Sequence, residues 1–103
     1  MNIFNLFVSQ PMTGYSIEEI KSTREKAVKA FIEKYNIDKN NIKVIDNLQE
    51  NHPEYTHTDY LANDIRYIGK ADGILFTKGW QLARGCKVEF HVASEYGIDC
   101  YFE

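Results

Sequence analysis

Consecutive apolar residues at Leu6-Phe7-Val8, and again at Ile74-Leu75-Phe76, constrain the fold of this chain more than any other feature. Successive side chains of a strand point to opposite faces. A run without polar alternation therefore has both faces covered, the condition of a central strand in a parallel sheet flanked by helices. The first run reads as a strand over Ile3–Val8, ending at Ser9-Gln10-Pro11, and the second as a strand over Gly73–Thr77.

The segments between them read as helices. Ser16-Ile17-Glu18-Glu19 is a capping box, in which Ser16 bonds an amide of the first turn and Glu19 reaches back. Ile17, Ile20, Ala27, Phe31 and Tyr35 then recur near helical spacing, with Lys and Glu on the other face, up to Tyr35-Asn36. Asp38–Asn41 is a polar turn, and Ile42–Ile45 a further strand ending at Asp46-Asn47. Leu48–Thr58 has no regular pattern, and a loop of that length is often functional or mobile. Tyr60–Gly69 reads as a second helix and Ala83–Tyr96 as a third, with Gly69 and Gly97 as stops; Ile98–Phe102 is the last strand. The order β-α-β-α-β-α-β predicts a parallel sheet with helices on both faces. At 103 residues the chain makes one domain, with a modest stability margin that a partner subunit would improve.

A formal charge of −3 without a basic cluster argues against a nucleic-acid polymer or an anionic membrane as partner. It leaves room for a single nucleotide. Cys86 and Cys100 have no CxxC spacing, so a reduced, cytoplasmic protein is expected, with Cys86 read as a small buried residue rather than a nucleophile. No stretch approaches the roughly 20 apolar residues of a membrane span, and the amino terminus lacks a basic leader region. His52, His57 and His91 lack metal-ligand spacing, and no metal site is expected.

In a parallel sheet the carboxyl ends of the strands share one edge, where ligands bind. That edge would collect Ser9–Gly14, Asp46-Asn47 and Gly79–Glu89. Ser9–Gly14 is either an anion-binding strand-to-helix loop or an ordinary turn. Glu89 and Asp64 neighbour Val88 and Ile65 on helices, near apolar faces. Paired carboxylates suit N-glycosidic chemistry, one attacking the anomeric carbon and the other handling protons; the alternative is two surface acids. Trp80 is either a stacking platform for a base or a hydrophobic cover, and Arg84 either a phosphate contact or an ion-pair partner of Glu89 or another acid.

Three motifs carry a resemblance. They are Ser9-x-Pro11-Met12-Thr13-Gly14 after the first strand, Asp64 eight residues before the Asp of Ala71-Asp72, and Gly79-Trp80-x-x-Ala83-Arg84-Gly85-x-x-x-Glu89 with a later Tyr96-Gly97. Together they resemble the DUF4406 family, small domains of the nucleoside 2-deoxyribosyltransferase-like superfamily found in bacteria and their phages. The resemblance implies an α/β, three-layer αβα sandwich of flavodoxin or Rossmann type over 1–103, with four to five parallel strands. It implies an N-glycosidase or deoxyribosyltransferase that cleaves the base–sugar bond of a (deoxy)nucleoside or nucleotide, without a cofactor. Glu89 would be the nucleophile and Asp64 would work with the sugar and leaving base. Ser9, Met12 and Gly14 would bind the sugar or phosphate end; Asp46, Trp80 and Arg84, on the same edge, are further candidate substrate contacts read from their own positions. Relatives of this fold assemble as homodimers or larger, a partner completing each pocket. Two departures stand out: Leu6-Phe7-Val8 offers no hydroxyl where relatives have a tyrosine supporting the nucleophile, and Trp80 and Arg84 replace small residues. The alternative is a non-catalytic nucleotide-binding module that uses the same pocket.

Overall fold

The structure, a computed structural model, describes residues 2–48 and 52–103. Four strands, β1 (Phe4–Ser9), β2 (Ile42–Val44), β3 (Gly73–Phe76) and β4 (Asp99–Phe102), form one parallel sheet in the order β2-β1-β3-β4. Three helices alternate with them: α1 (Ile17–Tyr35), α2 (His57–Ile68) and α3 (Arg84–Glu95). The expected α/β architecture is thus observed, with four strands.

Strand alternation divides the core into two layers. Leu6, Val8 and Leu75 pack with Ala27 and Phe31 of α1 on one face. Phe7, Ile74 and Phe76 pack with Ile68 of α2 and Ala93 of α3 on the other. Both central strands are β1 and β3, the two unbroken apolar runs, and Leu6–Val8 and Ile74–Phe76 are all buried. Between β1 and β3 the chain reverses its direction of winding across the sheet. Such a switch point opens a crevice beyond the carboxyl ends of the strands.

Local signals set the boundaries. Ser16 and Glu19 form the expected capping box, and α1 stops where Asn36 turns left-handed at φ 52°. The irregular stretch is shorter than expected; its residues 49–51 lie outside the described residues. Helix α2 starts at His57, three residues before the expected Tyr60, because Thr56 and Asp59 also form a capping box. An Asp in the position usually held by Glu or Gln hides that signal. β2 is one residue shorter than expected, and β1 runs on to Ser9.

Gly73 at the start of β3 is required by close approach. A Cβ there would lie 2.8 Å from both Phe4 Cζ and Tyr101 Cε2. These rings belong to the α1-side layer, where they pack edge to face at a centroid distance of 6.4 Å. Gly73→Ala is expected to lower stability by about 1–3 kcal/mol, measured as a lower urea midpoint with an unchanged slope. A wild-type midpoint would show that the rings yield without loss.

Candidate functional site

Residue Ser9 ends β1 and alternates with Phe7, so its side chain faces the α2/α3 layer. Across from it, Cys86, Glu89 and Ala93 are the buried residues of α3, spaced three and four apart on one face. An acid in that stripe must enter the interior. Glu89 is 5 % exposed, and Ser9 Oγ donates to its Oε1 at 2.6 Å. The Asp64 side chain, projecting from α2, hydrogen-bonds that of Glu89. The structure therefore brings together the two acids that were candidates for a catalytic pair.

Behind the acids lies a polar network. Arg24 of α1 is 8 % exposed; its Nε donates to Gln10 Oε1 and its Nη1 to Asn47 Oδ1, both at 2.7 Å. Asn47 Nδ2 in turn donates to Asp64 Oδ1 at 3.3 Å. Gln10 Nε2 donates to the carbonyl of Ile20 at 3.0 Å. Since Asn47 turns its oxygen to the guanidinium, its amide hydrogens face Asp64. The chain Arg24–Asn47–Asp64–Glu89–Ser9 thus joins α1, the loop after β2, α2, α3 and β1.

Burial raises the Glu89 carboxyl from an ordinary 4.5 to about 8. The charge and hydrogen bond of Asp64 act in the same direction, while the Ser9 hydroxyl and Arg24 oppose them. Burial also lifts the Cys86 thiol to about 11, so it stays protonated and un-nucleophilic. Arg24 is pulled down by burial and held up by Asp46, Asp64 and Glu89. A guanidinium still keeps its charge under such conditions.

A shift of this sign has a consequence for stability. Between pH 4.5 and 8 the folded chain holds a proton on Glu89 that the unfolded chain has released. Stability therefore falls as pH rises through that window, by up to about 1.4 kcal/mol per unit. Glu89→Gln mimics the protonated acid. It is expected to flatten this slope and to be more stable than wild type at pH 8. Denaturant midpoints at pH 5 and pH 8 for both proteins check this; parallel pH dependence would refute it.

Beyond the pair opens a cleft of about 920 Å³, within the size range of small-molecule sites. Glu89 and Asp64 line it, with Gln10–Thr13 and Tyr15 after β1, Asn47, Thr56–Thr58, Tyr60 and Leu61 at the start of α2, and Lys78, Gly79 and Leu82–Cys86 before and within α3. Met12 and Arg84, both expected at the substrate, lie on its walls. Four expected contacts are corrected. Ser9 sits beneath Glu89 and spends its hydroxyl there, supplying the hydroxyl that Leu6-Phe7-Val8 lacks. Gly14, at φ 87°, shapes the turn but does not line the cleft. Asp46 is exposed and accepts from the Leu48 amide at 3.3 Å; its neighbour Asn47 lines the cleft instead. Trp80 packs against Phe76, Phe90 and Phe102 at ring distances of 5.1, 5.0 and 5.5 Å, which makes it a hydrophobic cover. Nor is Arg84 the partner of Glu89; the positive charge that reaches the acid is that of Arg24.

Asp72, which closes the eight-residue interval from Asp64, is structural. Its Oδ2 accepts from the Asn5 amide at 2.7 Å and from Asn5 Nδ2 at 3.2 Å, tying β1 to the approach of β3. Among the described residues, no group of three or more His, Cys, Asp and Glu side chains is placed to hold a metal ion. No helix among the described residues is long and apolar enough to cross a membrane.

Sequence reasoning misses Arg24, and places Gln10 and Asn47 at the sheet edge without giving either a role. Arg24 did leave a signal, because Ile20, Arg24, Ala27 and Phe31 form one buried stripe of α1. A cation in an apolar stripe needs a buried partner.

No curated protein and no solved structure matches this chain. The family model of DUF4406, a domain of unknown function, matches residues 4–102, and with the fold and three motifs in place the chain belongs to that family.

Proposed function

We propose that the cleft cleaves the N-glycosidic bond of a (deoxy)nucleoside or nucleotide. The observation that carries this reading is the buried Glu89 paired with the half-buried Asp64, both lining a cleft beyond the β1/β3 switch point. A carboxylate that attacks an anomeric carbon needs a nearby acid, because a departing base takes up a proton. In the reaction, a Glu89 oxygen bonds to the anomeric carbon as the carbon–nitrogen bond breaks. The proton shared by the pair passes through Asp64 to the base. Water or a second base then resolves the sugar–enzyme ester. Ser9 holds the Glu89 oxygen in place at 2.6 Å. The same reading puts the chain with the nucleoside 2-deoxyribosyltransferase-like proteins that its motifs resemble. It also has a second copy of the chain close the cleft, whose lining residues Tyr15, Leu82 and Val88 are 56 %, 91 % and 38 % exposed.

Binding without turnover is the second reading, and one observation favours it. The two carboxyls hydrogen-bond each other, closer than the roughly 5 Å between the acids of a retaining glycosidase. A ligand must part them before reaction. A panel of deoxynucleosides and their 5′-monophosphates, assayed for free base, separates the readings. Release by wild type above that of Glu89→Ala is expected on at least one member. Equal background on every member ends the catalytic reading, and stoichiometric binding without product would then establish the other.

A further inference from the structure

The network behind the acids has a role that a static clamp would not need. Arg24 and Glu89 are buried and Asp64 is half-buried where it lines the cleft, and charges drawn out of water in this way resist a net imbalance. Asp46 also acts on Arg24 but is exposed and screened by solvent, so with Arg24 at +1 the balance beside the cleft permits one carboxylate, and the second carboxyl must keep its proton. Reaction requires that same count, namely one anion to attack and one proton for the leaving base. Two protons leave no nucleophile, and none leaves no acid.

Resting on the proposed N-glycosidic chemistry, we propose that Arg24 is a positioning residue that acts through Asn47 to hold the Glu89–Asp64 pair at one proton. The geometry fixes the direction of the relay. Asn47 Oδ1 accepts from Arg24 at 2.7 Å, so Nδ2 donates to Asp64 Oδ1 at 3.3 Å. Each carboxyl thus accepts from one neutral donor, Asp64 from Asn47 and Glu89 from Ser9, and the deeper burial of Glu89 favours the proton there in the resting pair. The proton then rests on Glu89 and crosses the Glu89–Asp64 hydrogen bond when a ligand enters. That transfer leaves a Glu89 carboxylate and an Asp64 acid, with no change in total charge. Gln10, which accepts from Arg24 Nε at 2.7 Å and donates to the Ile20 carbonyl, keeps the guanidinium aimed at Asn47.

Other charged and titratable groups surround the pair. Asp46 lies in the loop after β2 and Cys86 on α3, and both carry electrostatic links to this cluster. His57, Tyr60, Lys78 and Arg84 line the cleft. Among these groups Arg24 is the cation whose charge reaches Glu89.

The test needs no substrate, so its failure is distinct from failure of the N-glycosidase reading. Carboxyl-carbon NMR would follow Glu89 and Asp64 through pH 4–10 in wild type, Arg24→Lys, Arg24→Gln and Asn47→Leu. Wild type is expected to hold one carboxylate and one acid across neutral pH. In Arg24→Gln the first ionisation should move alkaline by about one unit or more, a tenfold change. Arg24→Lys should restore it, and Asn47→Leu should shift it part of the way. If Arg24→Gln does not fold, Asn47→Leu carries the test. Where turnover is measurable, the acidic limb of kcat/KM should move with the titration while KM stays within about twofold. A folded Arg24→Gln or Asn47→Leu that titrates like wild type overturns the proposal.

Discussion

Glu89→Ala is expected to reduce base release by at least about a thousandfold, with little change in ligand affinity. The effect should be this large because no other nucleophile among the described residues is placed to take over the attack. The Cys86 thiol also lines the cleft, but burial holds it protonated to about 11. The Ser9 hydroxyl is committed to Glu89, and with Glu89 gone no base remains beside it except Asp64. Glu89→Gln is the cleaner variant. It keeps the hydrogen bond from Ser9, matches the protonated acid in shape, and is expected to be more stable than wild type at pH 8, so lost turnover cannot be assigned to unfolding. A residue whose replacement raises stability and removes activity is held in place against its own folding preference, which is common where chemistry is done. Free base measured by chromatography at pH 6 and pH 8 decides the matter. Turnover by Glu89→Gln within tenfold of wild type would remove Glu89 from the role of nucleophile.

The fold was legible where one kind of residue decided the outcome. The unbroken runs Leu6–Val8 and Ile74–Phe76 specify central strands, and the Ser16/Glu19 box starts α1 where expected. Legibility failed where the deciding contact lies far away in sequence. Trp80 has the position of a substrate platform, yet three rings from β3, α3 and β4 hold it as a half-buried cover over the core. Ser9 has the position of a ligand contact, yet its partner lies 80 residues away. At Asp46-Asn47 a one-residue difference at a strand end exchanged an exposed acid for a buried amide. Periodicity places a side chain on a face of its own element, but it does not tell what another element brings to that face. Helical phase makes Glu89 and Asp64 candidates and motif spacing strengthens their pairing, whereas Arg24 lies outside every motif and only its helical phase, wrong for a surface cation, gives it away.

Arg24→Met is expected to destabilise the protein by about 3–5 kcal/mol at pH 8, which lowers Tm by on the order of 15–30 °C in a chain of this size. The methionine refills most of the volume, so a cavity is a small part of the loss. What remains is polar. Gln10 Oε1 and Asn47 Oδ1 each lose a donor at 2.7 Å, and a buried acceptor left unpaired costs about 1–3 kcal/mol. The carboxyl pair also loses the cation that balances it. That part depends on pH, because a carboxyl left beside no cation can take up a proton instead. The deficit should therefore shrink toward pH 5, where the variant's pair can take up a proton, and widen toward pH 8, where a carboxylate would stand without its cation. Thermal unfolding of wild type and Arg24→Met at the two pH values reads this difference directly. A deficit that is small, or equal at both pH values, would show that the guanidinium serves packing rather than charge balance, because the apolar part of the side chain is indifferent to pH while the carboxyls it faces are not.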